Sequence, residues 1–144
     1  MNETGTYELT LTKVVRAPRE KVFEAWTSPE WLTRWYGMAD DWTVPVAEVD
    51  LRVGGRYRIV MAGPGFDAFD ETGEFLEIVP NERLVYTMTS GAWTEQLLVT
   101  VTFAEHPDGT EVTLTDAGYA TADLRDQHAN GWPGWLDRLA GQFE

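Results

Sequence analysis

Four polar side chains fall, by period, on faces that their neighbours make apolar. In "TEQLLVTVTF" Glu95 keeps step with Leu97, Val99 and Val101, and in "TEVTLTDA" Asp116 keeps step with Val112 and Leu114. In "GEFLEIV" Glu77 keeps step with Phe75. Side chains alternate across a strand, so all three carboxylates are expected to point inward. His128 lies on the apolar stripe of a C-terminal helical segment. Burying a carboxylate is costly unless it is paired, and burial raises its pKa. Groups of this kind can fix a ligand's orientation or move a proton. The structural alternative for each is a strand end reaching water, or a histidine satisfied within the core.

Other chemistries find no support. The chain has no cysteine, which excludes disulfides, thiol catalysis and thiolate metal sites. Its two histidines, His106 and His128, show no metal spacing, and no metal or cofactor is expected. "GPGF" lacks the third glycine and the helix of a dinucleotide loop, and "DAFDETGE" lacks the alternating ligands of a calcium loop. Serine occurs only at 28 and 90, without a visible triad. Eleven basic residues against 24 acidic ones leave a formal charge of −13. That field repels phosphate backbones and anionic lipid, so nucleic acid is a poor partner and a neutral or cationic ligand fits better. No leader and no membrane-length apolar run is visible, so the expected location is cytoplasmic.

The elements that must hold these groups are legible from period and punctuation. At 144 residues the chain reads as one domain, 1–144. "YELTLTKVV" alternates as a half-buried strand. "APREKVFEAWTS" and "SPEWLTRWYG" then read as two short amphipathic helices, with Pro18 and Pro29 at their starts, Ser28 as a cap and Gly37 as a stop. Each is too short to be stable alone, so Trp26, Trp31 and Trp35 must pack on something. Six further strands follow, joined by short turns such as "HPDG", and in "RYRIVMA" Tyr57, Ile59 and Met61 share a face. The chain closes on a helix over about residues 120–142. Its stripe Leu124, His128, Trp132, Trp135, Leu139 and Phe143 should face the sheet, and Pro133 should kink it.

The order strand, two small helices, six strands and long helix resembles the helix-grip superfamily of START and polyketide-cyclase-like (SRPBCC) domains. Within it the chain is similar to the branch named for the activator of Hsp90 ATPase. The residues that carry the resemblance are "APREKVFEAWTSPEWLTRWYG", "VDLRVGGRYRIVM", "GEFLEIVPNERLVYT", "LLVTVTF" and "GWPGWLDRLA". The fold implied is α+β, a seven-stranded antiparallel sheet curled around the C-terminal helix with a cavity between them. On that fold Trp35 and Tyr36 fall near the cavity mouth. Tyr57, Ile59, Met61, Phe75 and Tyr86 fall on the sheet side, with Glu77, Glu95 and Asp116 as polar anchors. His128, Trp132 and Trp135 fall on the helix side. Trp26 and Trp31 read as core.

Two functional classes compete. The first is a binder, not an enzyme, that holds or sequesters an apolar or aromatic, polyketide-like small molecule. Related domains that protect antibiotic producers from enediynes make self-resistance one version of it. The second is a cyclase or aromatase in which His128 and an inward carboxylate act as acid and base. A weaker third reading, implied by the resemblance alone, is an interaction domain acting on Hsp90.

Overall fold

The computed structural model describes residues 7–36, 41–65, 68–90 and 96–143. Strand β1 (Tyr7–Val15) leads into helices α1 (Arg19–Thr27) and α2 (Pro29–Trp35). Strands β2 (Thr43–Val49), β3 (Arg56–Ala62), β4 (Phe69–Val79), β5 (Arg83–Ser90), β6 (Leu97–His106) and β7 (Gly109–Tyr119) precede helix α3 (Ala122–Gly141). All seven strands form one antiparallel sheet in the order β1-β7-β6-β5-β4-β3-β2, open at β1 and β2. Only β1 departs from a meander: it pairs with the last strand, and α1 and α2 carry the chain across to β2 at the opposite edge. Helix α3 lies against β1 and β7, α2 against β2, and α1 against β6 and β7.

Where a strand is regular, alternation settles its inner face. Leu97, Val99, Val101 and Phe103 are buried, as are Val112 and Leu114 opposite them and Tyr57, Ile59 and Met61 on β3. Threonines fill the outer face, with Thr10 opposite Thr115 and Thr12 opposite Thr113. Pro18 and Ser28 occupy the N-cap positions of α1 and α2, although neither side chain makes a capping hydrogen bond. Thr121 does cap α3, accepting from the Leu124 amide.

Irregularities on β4 and near the end of β7 change which residues point inward. Between Phe75 and Glu77, two residues of β4 face one of β5, so Tyr86 opposes Phe75 while Val85 opposes Glu77. The extra residue reverses the parity beyond it. Glu77 is therefore not an inward anchor: it lies on the exposed side, paired with Arg83 at 3.0 Å. A second irregularity falls at Gly118, whose φ of +106° suits glycine. It returns Tyr119 to the same face as Asp116, three residues away, and both are fully buried.

Helix α3 runs unbroken through Pro133. Its buried residues are Trp132, Leu136, Leu139 and Ala140. Leu124, Trp135 and Phe143 are partly buried against the core. The sheet-facing stripe is thus rotated by about one position from the one read in the sequence, with Leu136 rather than Trp135 at its centre. Glu95 and Gly37 lie outside the described residues.

Candidate functional site

Inside the sheet, beneath α1 and α2, lies a hollow lined by Trp26, Leu32, Tyr36, Val49, Tyr57, Ile59, Phe75 and Tyr86. Its free space is about 20 Å³, room for one water. The lining is aromatic because five elements converge there: α1 brings Trp26, the end of α2 brings Tyr36, and strands β3 to β5 bring Tyr57, Phe75 and Tyr86. The rings of Tyr57 and Tyr86 meet edge to face at 5.5 Å. The Trp26 indole N–H donates to the Tyr86 hydroxyl at 3.1 Å, so that polar edge is satisfied.

Beside the hollow sits Glu71, only 1% exposed. Its Oε2 accepts the Tyr36 hydroxyl at 2.8 Å and the Tyr57 hydroxyl at 3.0 Å. Gly73 makes this possible. A Cβ there would collide with the Thr87 carbonyl and the Tyr57 ring, so its absence lets that ring lie across β4 and reach Glu71. Burial lifts the Glu71 pKa to about 7, the two tyrosine hydrogen bonds pull it back, and the charge of Asp116 adds to the rise. Burial and then the Glu71 charge push the Tyr36 and Tyr57 hydroxyls well above the ordinary tyrosine value. At neutral pH both therefore act as donors.

A second buried carboxylate occupies the β7 side. Asp116 Oδ2 accepts the Tyr119 hydroxyl and, at 3.0 Å, the Trp132 indole N–H. Its Oδ1 is buried with no hydrogen-bond partner. Burial raises the Asp116 pKa to about 6, against the lowering effect of Tyr119 and Trp132. An unpartnered buried acceptor costs about 1–3 kcal/mol, and more when charged. His128 Nδ1 stands 3.9 Å from Asp116 Oδ2, beyond direct hydrogen-bonding reach, and its ring meets Tyr119 at 5.0 Å.

A ring path joins the two carboxylate sites. Tyr36 packs on Trp135 at 4.5 Å, Trp135 on Trp132 at 4.8 Å, and Trp132 bonds to Asp116. Across the sheet, Asp116 pairs with Val99, Val99 with Tyr86, and Tyr86 with Phe75.

Of the residues expected to line a cavity, Tyr36, Tyr57, Ile59, Phe75 and Tyr86 line this hollow. Trp35 does not: it is 1% exposed, with its indole N–H on the Ala25 carbonyl at 2.8 Å. Met61 is buried elsewhere on β3. Asp116 is instead the second carboxylate, with His128 and Trp132 beside it and Trp135 stacked on Trp132. Trp26 belongs to the core, as read, and also lines the hollow. Glu71 was missed although its parity with Gly73 and Phe75 announced it, because "DAFDETGE" reads first as an acidic loop. Tyr119 was invisible to alternation, since the bulge at Gly118 alone turns it inward. Among the described residues no cluster of His, Asp and Glu could hold a metal. None of the described helices is long and apolar enough to cross a membrane.

An open antiparallel sheet with a long C-terminal helix and two short helices after the first strand defines the helix-grip class, whose folds commonly bind hydrophobic ligands. The family can be stated more narrowly. A sequence model described as activator of Hsp90 ATPase homolog 1-like protein matches residues 16–144, and the chain belongs to that family. It is similar to protein CV1439 from Chromobacterium violaceum, with 28% identity over 95% of this chain and 97% of the other, at a TM-score of 0.86. The AHSA1-like protein from Aeromonas hydrophila shares 32% identity over 93% of this chain and 90% of its own, at a TM-score of 0.80. No curated protein matches the sequence.

Proposed function

We propose that this protein binds an apolar or aromatic small molecule between its helices and the inner face of the sheet. The observation that carries the reading is the hollow itself: all eight of its lining residues are aromatic or aliphatic, and two of them, Tyr36 and Tyr57, turn their hydroxyls to Glu71. Apolar walls with few, fixed polar groups are what a small-molecule site needs. The hollow as it stands has room for about one water, so a larger guest enters only as the walls part. Polycyclic, polyketide-like metabolites are the class we place first, and sequestration, as in self-resistance to an antibiotic such as an enediyne, is the role such binding would serve.

The test is an NMR titration with 2-methylnaphthalene and an aromatic polyketide. Saturable shifts of the Trp26 indole N–H and of Ile59 are expected. Shifts confined to exposed residues such as Leu98, or no saturable shift at all, would overturn the reading. The second reading, a cyclase, draws on the proximity of His128 to Asp116 at 3.9 Å. It predicts that the polyketide is converted, and that His128→Ala loses about 10²–10⁴-fold in rate with little change in binding. For a binder the same variant weakens affinity by only ~1 kcal/mol, the worth of one hydrogen bond.

A further inference from the structure

We infer that Asp116 is the polar anchor of the bound molecule, and that the molecule carries a hydrogen-bond-donating, preferably cationic, amine at one end of its aromatic body. The inference rests on the proposed binding function and specifies its ligand. Asp116 is fully buried, and its Oδ2 is held by two strong donors, Tyr119 and Trp132. That fixes the carboxylate while leaving Oδ1 without a partner. Native interiors rarely leave such an acceptor unsatisfied without a use for it.

Position and charge point the same way. Asp116 and Tyr86 flank Val99 across β7, β6 and β5. Neighbouring strands lie about 4.8 Å apart, so the anchor stands roughly 10 Å from a wall of the hollow. That is the length of a small fused-ring aromatic with a one-carbon arm. Tyr36, Trp135 and Trp132 supply an aromatic surface along the way. The chain's formal charge of −13 favours approach of a cation and disfavours an anion. Against a cation, a carboxylate oxygen makes the stronger, charge-assisted bond.

The test compares three probes that differ only at the arm: 2-naphthylmethylamine, 2-methylnaphthalene and 2-naphthoate. Affinities are measured by NMR at pH 7.5 for the wild type and for Asp116→Asn, whose amide keeps the shape and can still accept from Tyr119 and Trp132. The variant should weaken the amine at least tenfold more than it weakens the hydrocarbon, and should not weaken the naphthoate. In the wild type, adding the amine should also shift the Asp116 carboxyl ¹³C resonance and lower its pKa. Equal losses for amine and hydrocarbon, or an unmoved carboxyl resonance, would overturn the inference while leaving the hollow as an apolar site. Such a result means that a proton or a resident water satisfies Oδ1. If none of the three probes binds, the inference falls together with the binding function on which it rests.

Discussion

At the scale of single residues, the interior is organised around two carboxylates that burial disfavours. Glu71 shows how the balance falls: two tyrosine hydrogen bonds favour its charge, yet desolvation outweighs them and its pKa settles at about 7. A carboxylate whose folded-state pKa is raised stabilises the fold fully below the unfolded value and loses that contribution as pH rises through the folded one. The window for Glu71 therefore runs from about 4.5 to about 7, and the loss across it is roughly 3 kcal/mol. Glu71→Gln, which can still accept both tyrosine hydroxyls, should be more stable than the wild type at pH 8 and no more stable at pH 4.5. Urea unfolding at the two pH values checks this. Comparing the two proteins at each pH also removes the general relief of negative repulsion on acidification, which both share. A variant less stable than the wild type at pH 8 would mean that the charged form is the favoured one. Asp116, with its pKa at about 6, adds a smaller contribution of the same sign.

At the scale of elements, regular strands were legible and bulges were not. On β3 and β6 alternation alone identifies the buried residues, because neither strand itself carries an inserted residue to reset parity; the irregularity in the β2–β3 ladder falls on β2. On β4 one extra residue carries Glu77 out to Arg83, and nothing in "GEFLEIV" marks where the insertion falls. Alternation across "DETGEF" did hold, and it placed Glu71 inward beside a glycine that makes room for Tyr57. At the end of β7, Gly118 is the visible sign of a bulge, although a glycine in a strand does not say which later side chain it redirects. Gly118→Ala tests this element. A Cβ there would lie 3.1 Å from the Gln96 carbonyl oxygen on a backbone at φ +106°, costing about 1–3 kcal/mol. The displaced Tyr119 hydroxyl would no longer favour the charged carboxylate, so the Asp116 pKa should rise above its wild-type value. Thermal unfolding and the carboxyl ¹³C titration read the two effects separately. An unchanged titration would show that Tyr119 reaches Asp116 without the bulge.

At the scale of the whole molecule, the helices cover the sheet unevenly. Helix α3 was legible as an amphipathic stripe, but its apolar face is strong only in the second half. All four of its buried residues, Trp132, Leu136, Leu139 and Ala140, lie at or beyond position 132, and none lies in 122–131. Pro133 has no amide proton, so the Ala129 carbonyl loses its helical donor where the two halves meet. Segments with few buried contacts open at lower free energy than those anchored in the core. Amides of residues 125–131 should therefore exchange with solvent at least tenfold faster than those of 136–140, a difference of about 1.4 kcal/mol in opening. His128, on the weak half, and Trp132, at its end, both flank Asp116. Opening of this half would uncover the inferred anchor from the β7 side while the second half keeps its contacts with the core. Saturation with 2-naphthylmethylamine should then slow exchange in 125–131 more than in 136–140. Uniform protection along the helix, with or without the amine, would show that α3 opens as one unit and that access lies elsewhere.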